Sequence, residues 1–272
     1  MIKNLFLFLF MGELFLFSTN YHLAFSWGQI GHRICGEIAQ KHLSEQALKN
    51  LKEVTNGKSL AEISTLPDFI KSDPKWDHAK KWHYIDIEDN SKYDDHQNKN
   101  QIKVEPQNIF EAIDSISSNW NKAKDKNEKL MNLAFLVHFF GDLHQPLHIG
   151  RKSDRGGNTI ELNWFGKKTN LHAIWDEELI DFHKLSYTEY VQFLMNNTLL
   201  NKLDFSLSKK QWVSEALSLR PLLYSSLELI KDSKWKNNWE YRYVFLTKKV
   251  VDEQLYKAGR RLAAHLEELL KK

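Results

Sequence analysis

The segment from Glu128 to His144 is the most apolar helical stretch of the sequence, yet its second half carries His138 and Asp142, and Pro146 stops it. A helix this apolar belongs in a core. Residues four apart on a helix share one face, so His138 and Asp142 meet one turn apart. Buried polar side chains need partners. Two readings meet that need: an internal polar stripe in which the carboxylate satisfies the histidine, or a pair that binds a metal ion. Beyond Pro146 the chain can turn back, which lets His148 approach the same region.

The spacing recurs. His172-Ala-Ile-Trp-Asp176 is a second His-x3-Asp, 34 residues after the first. Two further stretches carry the same residue types: Asp68, followed by His83 in Trp82-His83-Tyr84-Ile85-Asp86, and Trp27-Gly-Gln-Ile-Gly-His32. Imidazole and carboxylate donors together suit zinc, and the lone cysteine, Cys35, argues against a sulfur-rich site. One zinc ion takes about four ligands. Five histidines and three aspartates exceed that number, so several ions sharing ligands fit better. Cys35 itself reads as a small buried residue of an early helix.

The rest of the chain reads as the helical scaffold such a site needs. Of its 272 residues 42% are hydrophobic, enough for a sizeable core, and few are Gly or Pro, which excludes a disordered chain. A net charge of +3 is compatible with a polyanionic substrate without indicating one. Helices are expected over 29–56 with a break near Ser44, and over 59–70, 105–124, 128–144, 173–184, 187–197, 209–231 and 246–270. Residues 88–104 read as a polar loop and 156–170 as a small irregular hairpin, the one place with strand character. The fold class is therefore all-α, with a single domain over 27–272. Residues 1–26 read as a signal peptide: Lys3, an apolar run from Leu5 to Phe17, then Ala24 and Ser26 as the small residues before a cleavage site. The run is shorter than the roughly 20 residues of a membrane span. Cleavage before Trp27 would release a secreted or periplasmic protein with no membrane anchor.

Taken in order, Trp-x4-His, Asp, His, His-x3-Asp-x5-His and Asn-Leu-His-x2-Trp-Asp resemble the zinc-dependent single-strand nucleases of the S1/P1 type. The resemblance runs from Trp27 to Asp176; the later helices match only in being helical. It implies a mainly helical domain of the phospholipase C/nuclease type and three zinc ions at the bottom of a cleft. Asp68, His83, His138 and Asp142 would hold the first ion, and His148, His172 and Asp176 the second. Trp27 and His32 would hold the third, with Asp142 bridging. Trp27 would act through its free amino nitrogen and carbonyl oxygen, which makes signal-peptide removal a step in building the site. The implied reaction is attack of a zinc-bound hydroxide on phosphorus, with Asp68 orienting it. Single-stranded DNA and RNA would give 5′-phosphorylated products, and 3′-mononucleotides would be dephosphorylated, by a monomer. Tyr84 would stack on a base and Asp86 would bond its edge.

The chain departs from the pattern at Leu66-Pro67-Asp68-Phe69-Ile70-Lys71, where the family has an arginine that clamps phosphate and this chain has Lys71. Lysine pairs a phosphate as a point charge without the bidentate fork. Arg151 and Arg155 are the alternative sources of that contact. The cysteines of eukaryotic members are absent, as expected of a bacterial-type member. Two rival readings are a zinc phospholipase C and a non-catalytic zinc-binding secreted protein. The Trp-x4-His step, the 24-residue step from His148 to His172 and the final aspartate favour the nuclease.

Overall fold

The computed structural model describes residues 27–89, 105–203, 205 and 208–271. The expected signal peptide lies outside these residues, as does most of the polar loop at 88–104. The chain is mainly helical, as its periodicity implies. Helix α1 (Gln29–Lys41) and α2 (Glu45–Thr55) are separated at Ser44, whose hydroxyl caps α2 by accepting from the Ala47 amide at 3.3 Å. The single helix expected at 59–70 is two short ones, α3 (Leu60–Ile63) and α4 (Leu66–Phe69). Pro67 lacks the amide hydrogen that a continuous helix would use and is tolerated in the first turn of a new one. Tight 3-10 turns at Ile70–Ser72 and Pro74–His83 follow.

A second departure concerns strands. Besides the hairpin β3 (Glu161–Trp164) and β4 (Lys167–Asn170), two-residue strands β1 (Ile85–Asp86) and β2 (Ile149–Gly150) pair in parallel, with Ile85 opposite Ile149. Two residues are too few to show an alternating pattern, so nothing in the sequence announced them. Their effect is large, because they bring His83 and His148 side by side.

Helix α5 (Ile109–Ser118) starts later than Glu105-Pro106, since the Asn108 side chain caps the amides of Phe110 and Glu111. Helix α6 (Lys126–Leu143) is capped by Asp125 and is followed by a 3-10 turn at Pro146–His148. The stretch expected as one helix at 173–184 is α7 (Leu171–Ala173), a π-helical turn at Ile174–Glu178 and α8 (Leu179–Asp181). Helix α9 (Tyr187–Asn196) follows. The 209–231 stretch breaks at Tyr224-Ser225, just after Pro221, into α10 (Lys209–Leu223) and α11 (Ser226–Lys231). Helix α12 (Trp239–Leu270) begins earlier than expected and is the longest element.

Two apolar clusters make the core. One joins α2, α5 and α6 to the C-terminal half of α12 through residues such as Leu51, Ile113, Phe139, Leu262 and Leu266. The other joins Trp27, Cys35, Trp175, Tyr243 and Leu255. Helices α1 and α12 contribute to both, and they pack so closely that a Cβ on Gly259 would lie 2.5 Å from the Ile38 side chain. Among the described residues no helix is long and apolar enough to cross a membrane.

Candidate metal centre

Helix α6 delivers His138 and Asp142 to the interior, where both are fully buried. Four imidazoles surround the Asp142 carboxylate. One oxygen lies 3.4 Å from His32 Nε2 and 3.8 Å from His148 Nδ1. The other lies 2.9 Å from His83 Nδ1 and 3.3 Å from His138 Nε2. His32 comes from α1 and stacks on His138 with ring centroids 3.8 Å apart. A Cβ on Gly141 would lie 2.7 Å from His32 Nδ1, so the absence of a side chain there lets α1 bring its histidine against α6. Asp68, on α4, reaches within 3.7 Å of His138 Nε2.

His172 and Asp176 meet across the π-helical turn, Nε2 to oxygen, at 3.2 Å, and His148 Nε2 lies 3.7 Å from the same carboxylate group. π-Turns of this kind are frequent at functional sites because they re-aim side chains. Three sets of donors therefore gather, each with all its ligand atoms within 4.8 Å of one another: His32, His138 and Asp142; Asp68, His83 and His138; His148, His172 and Asp176. All eight side chains singled out by spacing are in one of these sets. Trp27 enters differently. Its indole is fully buried, and the next amide, Gly28 N–H, donates to the Asp176 carbonyl at 2.7 Å, which ties the start of the described chain to the third set.

The imidazoles are aimed from behind. His138, His148 and His172 each donate from Nδ1 to a main-chain carbonyl, of Ser64, His83 and Gly156, at 2.8, 2.8 and 2.7 Å. A carbonyl only accepts, so Nδ1 carries the proton and Nε2 presents its lone pair inward, which is how a metal-binding histidine is held. Gly156 adopts φ 62°, and a Cβ there would meet the Leu147 carbonyl at 2.5 Å. Gln145 fixes Asp176: its amide nitrogen donates to the carboxylate at 2.6 Å while its oxygen accepts from the Leu147 amide at 2.6 Å. Sequence reasoning passed over Gln145, Gly141 and Gly156. The one available signal was the position of Gln145 inside the segment from His138 to His148.

Burial sets the electrostatics. It holds His32, His83, His138 and His172 below the ordinary histidine value, and His148 down to about 4. Lys71 pushes His83 and His138 the same way. Burial raises Asp176 to about 7, opposed by His172. Neutral imidazoles beside buried carboxylates are the form in which both types bind a cation. His148 Nε2 is buried with no hydrogen-bond partner. Donor chemistry and grouping thus fit metal ions better than an internal polar stripe.

At the rim, Lys71 pairs with Asp68 at 2.5 Å. Tyr84 is 43% exposed and Asp86 is half-buried two residues on. Arg151 is held by Asp89 at 2.6 and 3.0 Å and lies over the Tyr224 ring. His144 serves the scaffold: it lies behind the site and accepts from the buried Arg261 at 2.9 Å.

Among the described residues, a helical scaffold thus gathers five histidines and three aspartates into three sets that could each hold a metal ion. Residues 27–271 match the S1/P1 nuclease family. The chain is 30% identical to Endonuclease 4 of Arabidopsis thaliana over 89% of each chain, and 30% identical to Endonuclease 2 of the same plant over 92% of this chain and 91% of that one. It is 27% identical to Nuclease S1 of Aspergillus oryzae over 90% of this chain and 92% of that one. The chain belongs to the S1/P1 nuclease family and is a hydrolase of phosphoric ester bonds.

Two predictions follow from this geometry. Gln145→Leu should weaken metal retention about 10- to 100-fold, read by competition with a chromophoric chelator, because Asp176 loses the donor that orients it. Acid should destabilise the metal-free protein. Below the ordinary histidine value of 6.5, the unfolded chain binds protons that the folded chain refuses at His32, His83, His138, His144 and His172, and at His148 down to about 4. Stability is complete above the ordinary value and falls as pH drops below it. Asp176, raised to about 7, acts with the opposite sign, as do the raised Glu177 and Asp181, but the lowered histidines, which include the half-buried His42 and His183, outnumber them. Chelator-treated protein should therefore melt lower at pH 5 than at pH 7.

Proposed function

We propose that this chain, once freed of residues 1–26, is a secreted or periplasmic tri-zinc nuclease. Its substrates are single-stranded DNA and RNA, cut to 5′-phosphorylated products, and 3′-mononucleotides, which it dephosphorylates. The observation that carries this reading is the gathering of eight ligand-type side chains into three sets, two of which share His138. Asp68, His83, His138 and Asp142 would hold one zinc, His148, His172 and Asp176 a second, and His32 with the Trp27 main chain a third. Zinc in these positions would supply positive charge against phosphoryl oxygens and a water acidified toward neutral pH.

The protein's own groups do the rest. Asp68 keeps a slightly exposed carboxylate at the mouth, where it can orient a water and accept its proton. Lys71, beside it, places an ammonium where a phosphate oxygen would lie. The half-exposed Tyr84 offers a ring face to one base, and Asp86 an acceptor to its edge. The buried imidazoles keep water and protons from the interior side. The family match, which begins at residue 27, supports a mature start at Trp27 and favours a nuclease over a phospholipase. The half-exposed ring and carboxylate at the rim are superfluous to a non-catalytic zinc binder.

Mature protein with zinc should degrade single-stranded DNA, and a chelator should abolish the activity. Cleavage of phosphatidylcholine with no cleavage of DNA would move the assignment to a phospholipase. A form retaining Ser26 should lose activity and one zinc, since an amide nitrogen is a poor ligand; equal zinc content in both forms would contradict the role of the Trp27 amino group.

A further inference from the structure

Lys71 gives a phosphate at most a single-point contact. The ammonium of Lys71 lies 2.5 Å from Asp68, so it neutralises a carboxylate of the metal centre itself and lacks the fork that grips two phosphoryl oxygens. Among nearby arginines, Arg220 is buried and donates to the Ile87 and Ile149 carbonyls and to Asp89, clamping the β1–β2 pair from behind. Arg151 is engaged by Asp89 and the Tyr224 ring. Arg155 differs from both. Its side chain is exposed and makes no ion pair or hydrogen bond among the described residues.

The backbone holds Arg155 at a cost. It has φ 55°, the left-handed region that side chains other than glycine rarely adopt. The other such residues away from the site have local reasons: Asn56 ends α2, Lys184 closes the turn after α8, and Phe165 forms the hairpin turn with Gly166. Arg155 closes a turn of the same kind, since the Gly156 N–H returns to the Arg151 carbonyl at 2.9 Å, so its left-handed backbone has a local cause and only its side chain is left without a task in the fold. The loop is pinned on every side. Arg155 N–H donates to Lys152 O at 3.2 Å, and Asp154 accepts from Gly157 N–H at 2.9 Å and from Tyr224 Oη at 2.6 Å. The very next carbonyl, that of Gly156, orients His172. The loop also lies against the strand pair that follows Tyr84: Asp86 pairs with Gly150, and a Cβ on Gly150 would lie 2.6 Å from the Gly156 Cα. An exposed guanidinium that serves no fold contact, carried on a loop fixed this firmly beside His172, points to a ligand.

We infer that Arg155 binds a phosphate of the strand whose base lies on Tyr84, supplying the guanidinium fork that Lys71 cannot. This rests on the nuclease reading for the identity of the ligand. The contact is bidentate and charge-assisted, set beside the His148, His172 and Asp176 group rather than beside Asp68.

Arg155→Gly provides the sharpest test, because glycine suits φ 55° and removes only the guanidinium. Binding of a fluorescent, hydrolysis-resistant phosphorothioate single strand to zinc-loaded protein should weaken about ten-fold. The slope of log Kd against log salt should shrink by about 0.7, the value of one phosphate contact on a single strand. The variant should melt no lower than the parent, and Arg155→Lys should restore the slope but only part of the affinity. Lys152→Met, removing a neighbouring exposed cation, should change neither. Equal affinity and slope in Arg155→Gly and parent would overturn the inference, as would weaker affinity with an unchanged slope, which would put the guanidinium on a base. Binding that depends on Arg155 without any cleavage of unmodified DNA would uphold it and refute the nuclease reading instead.

Discussion

Everything in this molecule is arranged around one buried carboxylate. Asp142 has no solvent exposure and four histidines within 4 Å of its oxygens, drawn from α1, α6 and the two segments joined by β1 and β2. A carboxylate and neutral imidazoles removed from water are costly unless something compensates them. Protons are a poor compensation here, because burial keeps the imidazoles from accepting them. Cations are a good one. The same burial that would make this cluster a liability in an empty core makes it a tight receptor for metal, and metal binding adds to the stability of the folded state alone.

The scaffold turns that requirement into geometry. Two apolar clusters flank the centre and are fastened together by α1 and α12, so the ligands of α1 and α6 are set by helix packing rather than by loops. The remaining ligands sit on short irregular pieces, which need a different kind of support. They receive it from main-chain carbonyls behind His148 and His172, from Gln145 behind Asp176, and from Arg220 behind the β1–β2 pair. In a chain with one cysteine these polar ties do the work that disulfides do in disulfide-bonded domains.

What the sequence revealed and what it hid follow from range. His138 and Asp142, or His172 and Asp176, are one helical turn apart, so their convergence is a local fact that spacing alone conveys. The Ser44 break was readable for the same reason, since a cap acts over three residues. The parallel pairing of Ile85 with Ile149 was not, because it joins residues far apart and is only two residues long. Gln145 was hidden for another reason: an amide declares no chemistry until its partner is known, and Asp176 lies 31 residues away. Helix boundaries near Asn108 and Tyr224 shifted where a cap or a proline, rather than hydrophobic period, sets the end.

The central claim is that these residues are a centre for three metal ions. Diffraction from crystals of the mature protein, recorded on both sides of the zinc absorption edge, tests it most directly. The account predicts three anomalous peaks: one bounded by Asp68, His83 and His138, one by His148, His172 and Asp176, and one by His32 and the amino group of Trp27. Density with no anomalous signal between these side chains, in zinc-replete protein, would contradict it and return the cluster to an internal polar stripe.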